Sequence, residues 1–179
     1  MVASYVPSAE NPADAMTRVF PANTHQFLDL EPKLNADLLR KKLDHLGVMP
    51  TFDWFASDEN AQFPRFCVRS NSTRTTYTDA FSYPWNNEVG YFFPPFSLIP
   101  RVLRKIALEE ATAVLIHPNW TGAAWYPQLQ TMAIQTLNFP PSPLLLGYPQ
   151  FPGLRHRLTN LRLQISLVSS HMEAVFPTE

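Results

Sequence analysis

Residues 112–117 read Thr-Ala-Val-Leu-Ile-His, and this stretch is the clearest strand in the sequence. It is a continuous apolar run closed by a polar residue, which is typical of a strand buried on both faces of a parallel sheet. We therefore expect the rest of the fold to be organised around a sheet that contains this strand.

Helical and strand patterns alternate on both sides of it. The preceding segment has apolar residues at helical spacing, and Ser97 can cap that helix with Pro100 tolerated in the first turn. An earlier helix has Asn35 as its cap and Gly47 as its stop. The sequence predicts helices at 36–46, 97–110 and 123–136, and strands at 51–55, 89–93, 112–117 and 144–146. This order predicts an α/β fold with a mostly parallel sheet and flanking helices.

The two ends of the chain lack such a pattern. Four prolines interrupt residues 1–32, so we expect 1–33 to be a tail or remnant and 34–150 to be the folded domain. Residues 57–87 are mostly loop by composition. Residues 154–168 mix arginines with leucines and could form a final strand, an exposed helix or a linker, so 151–179 is a tail of undetermined structure.

Composition excludes several function classes. The 179 residues include 14 basic and 15 acidic side chains, which gives a formal charge of -1 and excludes a polybasic arm or an acidic disordered tail. Cys67 is the only cysteine, which excludes an internal disulfide and a four-cysteine zinc site. Without a long apolar run or a signal-like start, we expect no membrane contact and an intracellular location, nuclear or cytoplasmic.

Polar clusters fall at the carboxyl ends of three of the expected strands. They are Asp53 with the segment 58–60, the turn after Phe93, and the segment 117–120, which reads His-Pro-Asn-Trp. Ligands of open α/β sheets bind beyond the carboxyl ends of the strands, so these clusters predict a site at that edge.

The most informative tetrapeptide is Phe93-Pro94-Pro95-Phe96. A rigid double-proline turn followed by an aromatic ring can hold a flat base by stacking, which is worth about 1–3 kcal/mol per base. The alternative is a stiff turn with Phe96 in the core. Similar alternatives apply to His117, as a general base or a hydrogen-bonded structural residue, and to Trp120 and Trp125, as pocket or core residues.

Several of these residues resemble a motif of a known protein family. Asn or Asp followed by Pro-Pro and an aromatic residue is the signature of amino-group DNA methyltransferases, and residues from about 34 to 127 resemble the Dam-type adenine methyltransferases of phages and their relatives in retroelements. The matching segments are 52–61, 64–66, 79–82 with Trp85, 93–97, 118–120 and 125–127. The resemblance implies a Rossmann-like, methyltransferase-type sheet.

The resemblance also implies site residues. It places S-adenosylmethionine near Asp53, with the carboxylate of Asp53, or that of Asp58 or Glu59, accepting hydrogen bonds from ribose hydroxyls. It also has Asp79 holding the adenine amine. Pro95 and Phe96 would clamp the target base after it leaves its stack.

Phe93 departs from the family pattern. Active enzymes have Asn or Asp there, as the acceptor for the target amine, and we expect the loss of such a contact to cost about 2.7–4 kcal/mol of transition-state stabilisation. Asn119 or Asp79 could replace the acceptor from another loop.

A second resemblance lies near the amino end. Residues 5–18 are similar to the last motif of retroelement RNase H domains, in which Asp14 would be a metal-binding carboxylate. That chemistry needs several carboxylates holding two metal ions, so we expect Asp14 to be a remnant without nuclease activity. The combination resembles the end of the reverse transcriptase and RNase H polyprotein of DIRS-type, tyrosine-recombinase retrotransposons.

Together these features lead to one functional expectation and two alternatives. We expect a polyprotein fragment with a degenerate Dam-like domain that binds nucleic acid, DNA or RNA, or other parts of the polyprotein. Arg65, Arg69 and Arg74 are the expected phosphate contacts, local ones because the net charge is near zero. The alternatives are an active S-adenosylmethionine-dependent adenine methyltransferase and a translated relic without function.

Overall fold

The computed structural model describes residues 32–151 and 161–170 of the chain. The segment 5–18 with Asp14, for which a resemblance to RNase H domains was expected, lies outside the described residues, as do parts of the expected C-terminal tail.

A six-stranded sheet forms the centre of the domain. Its strands are β2 Phe52–Ala56, β3 Phe66–Val68, β4 Gly90–Phe92, β5 Thr112–Pro118, β6 Ala133–Asn138 and β8 Leu163–Ser169. They stand in the order β3-β2-β4-β5-β8-β6. The pairs β2–β3, β2–β4 and β4–β5 are parallel, and β8 runs antiparallel to both β5 and β6. The expected α/β class, with a mostly parallel sheet and flanking helices, is confirmed.

Strand β8 completes the sheet beyond residue 150. It pairs with β5 from Thr112↔Ser169 to Pro118↔Leu163, and it also carries β6 on its other side. All seven of its residues are buried, which agrees with a position between two other strands. Of the three alternatives for 154–168, a final strand is therefore the one observed for its described part.

The first helix, α1 at Ala36–Leu46, agrees with the prediction. The Asn35 side-chain oxygen accepts hydrogen bonds from the backbone N–H groups of Asp37, at 3.0 Å, and Leu38, at 3.1 Å. Gly47 ends the helix with φ +69°, a left-handed conformation that favours glycine. Leu39, Leu43 and Leu46 are buried along one side, which faces the sheet.

The second helix, α2 at Ile99–Leu108, begins later than predicted. A single 3-10 turn at Phe96–Leu98 follows the prolines, and the position before α2 is Leu98, which makes no side-chain cap. The expectation that Ser97 caps this helix is therefore wrong, because the double-proline turn leads first into the 3-10 turn. The buried side chains of α2 are Ile99, Val102, Leu103 and Ile106.

The segment predicted as a helix at 123–136 is only partly helical. Helix α3 spans Tyr126–Met132, and the chain continues directly as β6 from Ala133. The helical prediction for 133–136 is wrong because β6 pairs with β8, and this pairing with a distant segment overrides local propensity.

Two short strands lie outside the main sheet. The prediction of a strand at 144–146 is shifted, since β7 is Leu146–Gly147, and it pairs antiparallel with β1 at Lys33–Leu34. In the region predicted as loop, β3 is a further strand, and Ala80–Ser82 forms a 3-10 turn.

Helices cover both faces of the main sheet. One hydrophobic cluster joins the α1 face with Tyr91, Val114 and Ile116, and a second cluster joins the α2 and α3 side chains with strand residues such as Leu115. Consecutive residues of β5 thus contribute to opposite clusters, as the alternation of side chains along a strand requires. Within residues 32–151 and 161–170, none of the helices has the length and apolar character needed to cross a membrane.

Candidate functional site

The order of the strands creates a crevice at one edge of the sheet. The chain passes from β2 outward to β3, and then β4 lies on the other side of β2. At such a change of direction the connections after neighbouring parallel strands diverge, which leaves space beyond their carboxyl ends. The ends of β2, β3 and β4 therefore define the expected position of a ligand site.

A cavity of about 360 Å³ lies at this position. Its wall combines aromatic and aliphatic side chains with two arginines and one carboxylate. The lining residues are Trp54, Phe55, Ala56, Val68, Arg69, Asp79, Ala80, Phe81, Pro95, Leu98 and Arg101. Three residues predicted from the sequence thus meet here: Arg69, Asp79 and Pro95.

Asp79 holds an unusual backbone conformation at the cavity wall. Its φ is +61°, which is uncommon for a residue with a Cβ and costs on the order of 1–3 kcal/mol. Its carboxylate accepts hydrogen bonds from the backbone N–H of Phe81, at 3.2 Å, and from the Ser82 hydroxyl, at 2.8 Å. These bonds hold the 3-10 turn that places the Phe81 ring in the cavity wall.

Arg101 is a cavity residue that the sequence analysis missed. Its guanidinium carbon lies 3.8 Å from the centre of the Phe81 ring, an arrangement that fixes the cation through a cation–π contact. It is the third residue of α2, which follows the double-proline turn and the 3-10 turn at Phe96–Leu98. Its position four residues after the predicted cap Ser97 was the sequence signal that could have identified it.

A smaller polar cavity of about 240 Å³ shares Arg69 with the first cavity. Asp58 and Glu59 line it together with Ser57, Ser70, Asn71 and Gln150. The carboxylate of Asp58 accepts hydrogen bonds from the hydroxyl of Ser72 and from the backbone N–H of Thr73. These bonds lower the pKa of Asp58 below its ordinary value, and the bond from Ser72 has the largest effect. Asp58 therefore orders the loop at 72–75 while facing the cavity.

Asp53 does not line either cavity. It is the second residue of β2, and three more strand residues follow it, the last of which is Ala56 at the carboxyl end. The expectation that Asp53 lies at a strand tip is wrong, because β2 has nearly the predicted bounds and Asp53 lies inside it. Its carboxylate is buried and accepts a hydrogen bond from the backbone N–H of Gln62, at 3.0 Å. Burial, and then the charge of Asp53, raise the pKa of Tyr91.

The residues of the double-proline tetrapeptide 93–96 do not all lie at the cavity, and some of them pack in the interior instead. Pro95 is exposed and lines the cavity, whereas Pro94 is buried. Phe93 is half-buried and packs against the cluster on the α1 side of the sheet. The half-buried ring of Phe96 contacts the exposed ring of Trp120, with 5.2 Å between centroids.

The three predicted phosphate contacts do not form one surface. Arg65 pairs with Glu88 at 2.7 Å and lies over the Phe52 ring. Arg74 donates to the backbone carbonyl of Asp58 and, with Arg65, borders a third cavity of about 430 Å³. Arg69 is separate from them and lies between the first two cavities.

His117 is a hydrogen-bonded structural residue. One ring nitrogen lies 3.1 Å from the Pro118 carbonyl and the other lies 2.7 Å from the Ser166 hydroxyl. Burial lowers the pKa of His117 to about 4, so the neutral ring donates to the carbonyl and accepts from Ser166. Trp125 lies in the core, whereas Trp120 is exposed.

No group of three or more metal-ligating acids, histidines or cysteines occurs in the part of the chain that the structure describes. Asp14, the predicted remnant of a metal site, is outside that part.

Comparison with protein-family models and with curated proteins finds no match to this sequence. The functional argument therefore depends on the residues of the site.

Proposed function

We propose that this chain is a fragment of a DIRS-type retrotransposon polyprotein, and that its Dam-like, methyltransferase-related domain binds nucleic acid without efficient methyl transfer. The observation that carries the proposal is the cavity at the carboxyl ends of β2, β3 and β4, which brings Asp79 and Pro95 together with two arginines. A mostly parallel sheet with one antiparallel strand is compatible with the Rossmann-like methyltransferase fold that the resemblance implies. A retroelement product of this kind would act in the nucleus or the cytoplasm.

The cavity has the size and chemistry for a nucleoside. Its volume of about 360 Å³ lies within the range of small-molecule pockets, about 300–1,000 Å³. Phe55 and Phe81 offer flat apolar walls, and Asp79 offers an acceptor for an amine or hydroxyl. Arg69 and Arg101 supply positive charge beside it, as the phosphate attached to a nucleoside requires.

The position of Phe93 argues against efficient methyl transfer. Its side chain packs on the α1 side of the sheet and does not line the cavity. It has no hydrogen-bond acceptor, so it cannot increase the nucleophilicity of an amine.

The test of the proposal is nucleic-acid binding by the full chain. We expect a fluorescently labelled single-stranded oligonucleotide to bind, with affinity that falls as salt rises, because each neutralised phosphate releases counterions. Replacing Arg69 and Arg101 together by Ala is expected to weaken binding and to reduce the salt dependence. Arg104→Ala is the matched control, since Arg104 is exposed on α2 and does not line the cavity. Equal binding by the double variant and the control would contradict the proposal.

The active methyltransferase is the second candidate, and the same cavity favours it. The aromatic walls and Asp79 fit the adenosyl part of S-adenosylmethionine, a cofactor that supplies a methyl group when bound. Calorimetric binding of the cofactor together with methylation of DNA by the unaltered chain would establish this candidate over the first. If the cofactor binds without methylation, Phe93→Asn tests whether the missing acceptor is the cause.

The hypothesis that the chain is a non-functional relic predicts a loosely packed chain. Two clusters of buried side chains, one on each face of the sheet, instead support a folded domain. A cooperative urea transition is expected for the domain, and a gradual one for the relic.

A further inference from the structure

Trp120 is a large aromatic residue that the fold leaves exposed. It lies in the turn directly after β5, at the same edge of the sheet as the cavity, and 47% of its surface is accessible. The other three tryptophans, at positions 54, 85 and 125, are each at most 8% exposed. The exposed part of an indole offers a flat apolar face and an N–H donor, so Trp120 is a candidate contact for a flat ligand at this edge.

A contact with Phe96 holds the exposed ring in place. The two rings meet edge to face, with centroids 5.2 Å apart and planes at 80°. Phe96 directly follows Pro95, a lining residue of the cavity. The indole is thus anchored to the rim of the proposed nucleoside site, and little conformational entropy has to be lost when a flat ligand stacks on it.

The charge around Trp120 suits an anionic ligand. The backbone N–H of Asn119 donates to the carbonyl of Arg162, at 2.8 Å, so Arg162 lies beside the turn that carries Trp120. Arg162 is exposed. The sequence contains no Asp or Glu from Ala111 to Met172, so this part of the chain adds no negative charge next to the indole.

We infer that Trp120 is a stacking surface for an unpaired base of single-stranded nucleic acid, whose phosphate backbone passes Arg162. Every base has a flat face that an indole can cover, and a neighbouring guanidinium can pair with the phosphate. This inference rests on the proposed function and extends it by naming the form of nucleic acid. A base within a duplex is already stacked on both faces and does not reach such a surface.

The first test compares the binding of variants to a labelled oligothymidine of about 12 nucleotides, a length that spans a typical single-strand site. Trp120→Ala is expected to raise the Kd by about 5- to 150-fold, the range that corresponds to one stacked base. Trp120→Phe keeps a stacking ring and is expected to bind more tightly than Trp120→Ala. Leu108→Ala is the matched control, because Leu108 is 77% exposed at the end of α2, near the opposite edge of the sheet.

The second test uses the fluorescence of the indole and the dependence on salt. Stacking is expected to quench the emission of Trp120, and Trp120→Phe is expected to remove this quenching while the buried tryptophans still emit. Arg162→Ala is expected to lower the slope of log Kd against log salt by about one. A cooperative urea transition of each variant shows that it is folded.

The outcomes separate this inference from the proposed function. If the unaltered chain binds no nucleic acid, both are overturned. If it binds through Arg69 and Arg101 while Trp120→Ala binds as the unaltered chain does, only the inference fails. Equal affinity for a duplex of the same length would also overturn it, because the proposed surface requires an unpaired base.

Discussion

Gly90 is a position at which the surrounding rings leave no room for a side-chain methyl group. A Cβ at this position would lie 2.5 Å from the Phe92 ring and 2.6 Å from the Trp54 ring, closer than non-bonded carbon atoms approach. We expect Gly90→Ala to lower the free energy of unfolding by about 1–3 kcal/mol, the usual cost of overpacking a core. Urea denaturation measures this change.

Gly122→Ala is the control for that measurement. A Cβ at Gly122 would meet no atom within 4 Å. A stability of Gly90→Ala equal to that of the control would mean that the rings of Trp54 and Phe92 move apart at little cost.

His117 predicts a pH dependence of stability. Its pKa is lowered by burial from 6.5 to about 4, and its neighbours Ser166, Trp125 and Tyr126 carry no charge. The unfolded chain therefore takes up a proton at higher pH than the folded chain does, so stability falls as pH falls from the ordinary pKa toward the folded one. We expect this residue alone to remove about 2 kcal/mol of stability between about pH 8 and about pH 5.

The pH dependence of His117→Gln isolates this contribution. Both chains share all other titrating groups, so the difference between their urea stabilities across the pH range reports His117. Parallel pH profiles for the two chains would show that the folded protein protonates His117 near its ordinary pKa.

At the residue scale, the sequence predicted which residues belong to the site better than it predicted where each of them lies in the fold. Asp79 and Pro95 were assigned to one site by the resemblance, and both line the same cavity. Asp53 was grouped with the polar residues 58–60 at the strand tip, although the predicted strand 51–55 already contained it, and β2 has it in its interior. Arg101 was missed because a cation at the start of a helix becomes a site residue only through its contact with the distant Phe81.

At the element scale, Asn35 is expected to stabilise α1. Its side chain satisfies two backbone N–H groups that the helix itself leaves without partners. Asn35→Ala is expected to lower the free energy of unfolding by about 0.5–2 kcal/mol, measured by urea denaturation. Asn35→Asp keeps an acceptor oxygen and is expected to retain most of the stability. Equal stability of these two variants would show that the cap contributes nothing.

Helix α1 was predicted because its signals are local. The cap, the leucine stripe and Gly47 all lie within thirteen consecutive residues, from 35 to 47. The segment after α3 has no such signals, and its strand β6 is determined by pairing with β8, which lies about thirty residues later, more than a local pattern reaches. Strand β3 was missed for a similar reason, since three residues are too few to show alternation.

At the scale of the whole molecule, the order of helices and strands predicted the α/β class but not the order of strands in the sheet. The class follows from alternating periodicities along the chain. The insertion of β8 between β5 and β6 depends on which surfaces meet after the chain folds. The edge of the sheet that carries the site was predictable, because parallel strands end at the same edge. The cavity was not, because several of its lining residues lie in loops whose paths the sequence does not specify.

The position of β8 leads to the last prediction, that the domain requires residues beyond 151. Strand β8 pairs with β5 over seven positions and is the only partner of β6 in the described sheet. Leu163, Ile165 and Val168 are at most 1% exposed, and their burial contributes about 1.5–3 kcal/mol each, which approaches the entire stability of about 5–15 kcal/mol of a typical domain. A chain that ends at Phe151 is therefore expected to show no cooperative urea transition, whereas a chain that ends at Ser170 retains every described residue and is expected to show one. Cooperative unfolding of the shorter chain at a similar urea concentration would mean that β5 and β6 form a stable sheet without the strand between them.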